Sequence, residues 1–487
     1  MTKSLWRLTV AIHRYLGIAV GLLMLMWFAS GAVMMYVGFP RFPEQARLRA
    51  LSPIAWQACC HLPDGLFNDN ERFASVQLEN LPDTPVLRLR RTLLPDILVD
   101  LAQGGIKQID DAAALAIAAD APLRLFGVQA RVIDTETIKS DQWTVGRYQA
   151  DRPLYRFAFD DPERSTIYIS STSGQILLWT TARQRFWNWL GAIPHWIYPL
   201  ALRANTQLWS QIVIWASILG TFLTSVGLYL GIAQFKRGKD HRVSPYRGLL
   251  YWHHLAGLIF GILTLTFVVS GLLSMNPWGF LGSRRGSEQV RLEGAAPRWA
   301  EIKTSLDAIS AGSVPAVSLV TAPYAGRLHW LATDPAGVVS RLDAAGRMAP
   351  LSEGDLVEAA RRLAGENGIA AQSIINEEDA YYFDRHDEFV LPVYRVILND
   401  AGGTRYYLDA ISGALLQRTD VNSRWHRWLF GGLHRLDFAA WLRARPAWDI
   451  ILLTLLLGGI GLSATGVYLA VRRVRDDIGA LFGRSRR

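Results

Sequence analysis

Cysteine is almost missing from this chain of 487 residues, which holds two, the neighbours Cys59 and Cys60. They cannot supply a disulfide framework, a four-cysteine zinc site or an iron–sulfur cluster. Ala58-Cys59-Cys60-His61 also lacks the C-x-x-C-H spacing of covalently attached c-type haem. Adjacent Cα atoms lie about 3.8 Å apart across a trans peptide, below the usual disulfide range, so two free thiols are expected ahead of the alternative, a strained disulfide between the neighbours. Charge is scarce as well. Only 19% of residues are charged and 50% are hydrophobic, whereas a soluble protein carries about a quarter charged, which argues against a wholly soluble chain. No G-x-G-x-x-G follows a strand and no P-loop occurs, so a nicotinamide or ATP domain is excluded and any reductant must come from elsewhere.

Long apolar runs and aromatic residues take the place of charge. Eighteen Trp and 16 Tyr exclude disorder for most of the chain. Four uncharged stretches reach the roughly 20 residues needed to cross a bilayer as a helix. They place transmembrane helices at 8–36, within 187–233, at 249–276 and within 425–471. In the first, the apolar core of residues 16–37 exceeds the roughly 7 to 15 residues of a signal peptide and lacks an Ala-x-Ala site, so it reads as a span. Lys and Arg near span ends stay on the cytoplasmic side. Segments 1–14, 234–248 and 472–487 together hold 14 Lys/Arg against 3 acids, which makes both termini and the central loop cytoplasmic. The net charge of +9 is therefore a topology signal and no pointer to nucleic acid. Two polar segments, 41–186 and 284–424, are then outside, each large enough for a small domain.

The two halves of the chain repeat one another. His13, Gly17, Gly21, Ser30 and Gly31 recur 240 residues later as His253, Gly257, Gly261, Ser270 and Gly271. At an offset of 239, Tyr168, Trp189, His195, Trp209, Gly227 and Tyr229 recur as Tyr407, Trp428, His434, Trp448, Gly466 and Tyr468. Each half is a span, an outside domain and a second span of the same polarity, so the halves are parallel repeats about a pseudo-twofold axis along the membrane normal. Residues 155–159 and 394–398 read as strands, each followed by a turn and a second strand, and 110–120 and 354–364 carry helical periodicity. The expected fold is an integral membrane α-helical protein of four transmembrane helices in two parallel pseudo-twofold repeats, with two α+β extracytoplasmic domains.

Four of the ten histidines belong to the repeat, and a pseudo-twofold axis turns them into facing pairs. An iron with imidazole at both axial positions needs two histidines at one depth, which His13 with His253 and His195 with His434 would supply. In a helix, His13-x-x-x-Gly17-x-x-x-Gly21 and its copy at 253–261 clear the face beside the imidazole for a flat porphyrin, unless the glycines serve helix contacts instead. At 1.5 Å per residue, the roughly 23 residues from His13 to Tyr36 span about 35 Å, so one pair lies near each membrane face. His254 and His426 are alternates without repeat partners, their counterparts being Arg14 and Trp187. His61, His241, His329 and His386 lie in polar surroundings and read as surface residues. The tryptophans at the span ends read mainly as an interfacial belt. Arginines among them, including Arg203, Arg427, Arg435 and Arg443, suit lipid headgroups, haem propionates or an anionic substrate.

His13-Arg14-Tyr15-Leu16-Gly17-Ile18-Ala19-Val20-Gly21, the Ser30-Gly31 pair, the Tyr-x-Asp-x-x-Ser-Gly of 407–413 and Trp-x-x-x-x-x-His at 189–195 and 428–434 carry a resemblance. Over 8–471 the chain resembles the PepSY-associated transmembrane family, which includes iron-regulated inner-membrane proteins and ferric-siderophore reductases. The resemblance implies PepSY-like outside domains in the periplasm, two b-type haems on the four repeated histidines, and reduction of a ferric siderophore with release of ferrous iron. The donor would be a quinol or a cytoplasmic flavoprotein. One departure is Tyr168-Ile169-Ser170, where the second domain has Tyr407-Leu408-Asp409. Two other classes stay open at this point: a non-enzymatic module binding a peptide or partner protein, and a siderophore transporter. No span carries the buried acid or lysine that marks an ion-coupled pathway.

Overall fold

The computed structural model describes residues 2–92, 94–236, 243–282, 286–383 and 389–484. His241, His386, the charged centre of the loop expected at 234–248 and the end of the tail expected at 472–487 lie outside them. The chain forms two compact units, one of Met1–Phe39, Gln184–Gly282 and Asn422–Arg487, the other of Pro40–Arg183 and Ser283–Val421.

Helices α1 (Lys3–Met34), α2 (Ala192–His195), α3 (Thr206–Gln234), α4 (Leu249–Ser274), α5 (Leu433–Arg435) and α6 (Ala447–Arg484) carry the first unit. Four of them, α1, α3, α4 and α6, are long and apolar enough to cross a membrane. The first begins at Lys3, ahead of the expected residue 8, because Thr2 Oγ1 accepts the Leu5 N–H and caps it. Asn205 caps α3 in the same way through Leu208 N–H at 3.0 Å. Residues such as Leu22, Ile262 and Leu457 are more than half exposed, an outward apolar surface that suits acyl chains and not water. Both α1 and α4 pack against α3 and α6, so α1 and α4 occupy opposite corners of a four-helix bundle. Phe28 of α1 and Phe267 of α4 meet edge to face at its centre, 6.0 Å between ring centres. A Cβ on Gly459 of α6 would stand 2.7 Å from Phe28, so only glycine lets the ring in.

The second unit contains the strands. They are β1 (Ser75–Asn80), β2 (Pro85–Arg90), β3 (Ile97–Asp100), β4 (Gly105–Ile106), β5 (Val132–Ile138), β6 (Leu154–Phe159), β7 (Thr166–Ser170) and β8 (Ile176–Thr180), then β9 (Ser318–Thr321), β10 (His329–Thr333), β11 (Val339–Asp343), β12 (Ile369–Ile375), β13 (Val393–Leu398), β14 (Arg405–Asp409) and β15 (Leu415–Thr419). Two antiparallel meanders, β5-β6-β7-β8 and β12-β13-β14-β15, share one topology, with a register shift beside Tyr168 in one and beside Tyr407 in the other. Each buries one face under a helix. Ala114, Ile117, Ala118 and Ala121 of Asp111–Phe126 cover Tyr155, Phe157 and Ile167. Leu356, Ala359, Ala360 and Leu363 of Glu353–Ala364 cover Val396, Tyr406 and Leu408.

A third sheet corrects the expectation of one domain per polar segment. Its order is β11-β10-β9-β1-β2-β3-β4, so strands from 41–186 and 284–424 hydrogen-bond in one sheet, joined where Leu78 of β1 lies opposite Leu319 of β9. The physical reason is edge pairing: β1 would otherwise expose its free backbone groups, and β9 covers them. Helix Trp299–Gly312 lays Trp299, Ile302, Leu306 and Ile309 on this sheet from the far half of the chain. Cys59 and Cys60 also differ from expectation. They form a disulfide between neighbours, with Cα atoms 3.1 Å apart, closer than the trans spacing on which free thiols were expected. The departure at Ser170 has a local explanation. Asp409 caps its turn by accepting from Ile411 N–H and Ser412 Oγ, and Ser170 Oγ accepts from Thr172 and Ser173 N–H in the matching turn. The acid and the serine do one job.

Candidate functional site

Two imidazole pairs form in the bundle. His13 on α1 faces His253 on α4, with ring centres 6.4 Å apart and planes at 41°. His195, the last residue of α2, faces His434 of α5 at 6.1 Å and 65°. The first pair meets because α1 and α4 stand at opposite corners and each histidine lies near its helix N-terminus, turned inward. The second is held by short helices, α2 packing on α1 and α5 on α4. Two indoles fix the turns that follow these histidines: Trp209 Nε1 donates to the Trp196 carbonyl at 3.0 Å and Trp448 Nε1 to the Arg435 carbonyl at 2.8 Å. Trp209 and Trp448, read from sequence as belt residues, thus have a positioning role.

Each ring is seated against a glycine of another helix. A Cβ on Gly227 would lie 2.5 Å from His13 Cε1 and one on Gly466 3.2 Å from His253 Cε1; for Gly31 with His195 and Gly271 with His434 the distances are 3.4 and 3.6 Å. All four glycines belong to the repeat, yet nothing in the sequence says which ring each one admits. By contrast Gly17, Gly21, Gly257 and Gly261 take the aliphatic ends of Leu223, Val467, Leu462 and Leu228. That is the helix-contact use of small residues, one of the two uses expected for these glycines.

Hydrogen bonds at Nδ1 select the tautomer. His195 Nδ1 lies 3.1 Å from the Trp27 carbonyl and 3.2 Å from Ser30 Oγ, and His434 Nδ1 3.2 Å from the Phe267 carbonyl and 3.1 Å from Ser270 Oγ. A carbonyl only accepts, so the network assigns the proton to Nδ1 and leaves the lone pair on Nε2. His253 Nδ1 meets Thr465 Oγ1 at 3.0 Å. That hydroxyl spends its own proton on the carbonyls of Gly461 and Leu462, so it too accepts from Nδ1. Among the described residues, His13 Nδ1 has no partner in good hydrogen-bond geometry, and the ring's acceptor is the Leu223 backbone. Thr465 was invisible from sequence because its counterpart 239 residues earlier is Val226.

The alternates stand apart from both pairs. His254 places Nε2 2.8 Å from the Gly231 carbonyl and its ring edge-on to Tyr246, and His426 lies against Phe430. Of the arginines, Arg427 and Arg443 converge on the buried Asp437 at 3.4 and 3.6 Å, and Arg203 lies over the ring of Trp209.

No curated protein matches the sequence. Residues 10–473 match the family model described as the PepSY-associated TM region, and this membrane protein therefore belongs to the PepSY-associated transmembrane family.

Proposed function

We propose that the protein carries two b-type haems in the bacterial inner membrane and passes electrons outward to a ferric siderophore. The observation that supports this reading is the spacing of the two imidazole pairs. With metal–nitrogen bonds of about 2 Å and about 1.1 Å from nitrogen to ring centre, two axial imidazoles have centres roughly 6.2 to 6.4 Å apart. The pairs lie at 6.4 and 6.1 Å. Two nitrogens are too few for a bare ion, and no group of three or more His, Cys, Asp or Glu gathers among the described residues. A haem asks only two nitrogen ligands of the protein, which His13 with His253 and His195 with His434 would supply, so the residues fit the group.

On this reading His13 and His253 hold one haem near the cytoplasmic face and His195 and His434 the other near the outer face. The orientation comes from the basic segments 1–14, 234–248 and 472–487. Two parallel repeats about a pseudo-twofold axis would bring residues 239 or 240 apart to one depth, as in both pairs. Bound haem supplies one-electron carriage between ferric and ferrous iron. The chain's own part is to present Nε2 as a lone pair, with the proton kept on Nδ1 by Ser30, Ser270, Thr465 and backbone carbonyls, and to admit the rings on glycine. The β unit would lie in the periplasm. There, one electron per ferric chelate converts Fe3+, tightly held by hard oxygen ligands, to Fe2+, which they hold weakly. Quinol or a cytoplasmic flavoprotein is the proposed source of that electron.

The purified protein is expected to give a low-spin b-type haem spectrum in a dithionite-reduced minus oxidised difference; a flat difference would sink the proposal. Gly227→Val is a sharper probe. Its side chain must push the His13 ring out of place, so this variant should lose the inner haem and keep the outer one. Gly461→Ala, where a Cβ meets open space, should keep both.

A further inference from the structure

Resting on the haem reading, we propose that positions 226 and 465 make the two axial ligands of the inner site unequal, and that this mismatch raises its reduction potential above what matched hydroxyls would give. The outer pair shows what matching looks like. Its two Nδ1 atoms each meet one serine hydroxyl and one backbone carbonyl, at distances that agree within 0.1 Å. In the inner pair His253 has the Thr465 hydroxyl at 3.0 Å and the Leu462 backbone, while His13 has the Leu223 backbone and no hydroxyl. The surroundings are otherwise alike: His13 sits on Gly227 and His253 on Gly466, and each glycine directly follows the position in question. Valine for threonine is a methyl for a hydroxyl at nearly constant shape, so the difference is one acceptor.

An imidazole that donates from Nδ1 gains negative charge on the ring, and its Nε2 becomes a stronger donor that favours ferric iron. With a backbone acceptor and no hydroxyl, His13 is the weaker donor and favours ferrous iron. The inner site accepts an electron more readily for it, which suits the site that faces the electron source.

Potentiometric titration of the full-length protein, followed at the haem absorption bands, tests this. The inner wave is identified in a His195→Ala background, where only that site is loaded. Val226→Thr should move the inner wave to lower potential and Thr465→Val to higher, each changing the ferrous-to-ferric ratio at a fixed ambient potential by about three- to tenfold, the worth of one hydrogen bond. Thr465→Ser should restore the parent wave, and the outer wave should stay put in all three chains otherwise unaltered. Haem that is bound but whose inner wave ignores both substitutions, or moves the same way with each, would overturn this proposal alone. Absence of haem from the parent protein would overturn it together with the reading beneath it.

Discussion

Replacement of His195 by alanine is expected to leave the chain with about half its haem, and replacement of His13 to leave the other half, because on the proposed reading each pair would hold one iron by itself. The pairs draw on different supports. His13 and His253 rest on Gly227, Gly466 and Thr465, while His195 and His434 rest on Ser30, Gly31, Ser270 and Gly271. Haem per chain, measured by pyridine haemochrome against protein mass, should therefore fall by one in either single variant and to zero in the double. His254→Ala should change nothing, since that ring is committed to the Gly231 carbonyl. Loss of all haem in one single variant, or of none in either, contradicts the assignment of two pairs.

Glu79→Ala should be the most damaging single change in the β unit, with a loss of about 3–5 kcal/mol, the usual cost of breaking a buried ion pair on one side. The carboxylate is fully buried where β1 meets β9 and receives a bidentate pair from Arg47 at 2.7 and 2.8 Å. Arg88 donates at 2.7 Å, Ser318 at 2.9 Å and Gln77 at 2.6 Å. Removing the acid leaves the buried Arg88 guanidinium without a carboxylate and Arg47 with Glu44 alone, and it loosens the seam between the two halves of the sheet. A lower denaturant midpoint for the extramembrane unit and faster proteolysis between 41 and 186 would register it. The same site predicts acid sensitivity. Burial alone would push the Glu79 carboxyl up, but the Arg47 hydrogen bonds and the charges of Arg88 and Arg47 outweigh it and hold the carboxyl below its ordinary value. With the folded pKa depressed, the contribution is complete above the unfolded value of about 4.3 and is lost as pH falls through the folded one. Glu79→Ala should lack that component of acid unfolding.

That His13 meets His253 and His195 meets His434 was legible because the repeat in the sequence matches those positions, and that inference needs no side-chain detail. The meander strands and their covering helices were legible for a local reason, since alternation and 3.6-residue periodicity are written within each segment. Long-range partnership was not. Pairing of β1 with β9 joins residues some 240 apart and leaves no mark on either strand. Nothing local distinguishes Gly227, which admits a ring, from Gly17, which admits a leucine. Thr465 was hidden for the opposite reason: the repeat that exposed the histidines drew attention to what is shared, and here the informative residue is the one that is not.

Two imidazole pairs at opposite ends of one bundle have an electrical consequence. On the proposed reading, each electron that left the inner pair for the outer one would cross most of the insulating layer as bare negative charge. A cytoplasm at negative potential pushes that charge outward, with about 2.3 kcal/mol per 100 mV for a full crossing. The transfer would be electrogenic, so an energised membrane would drive iron reduction and be partly discharged by it. Iron acquisition would then be coupled to the energy state of the cell through geometry alone.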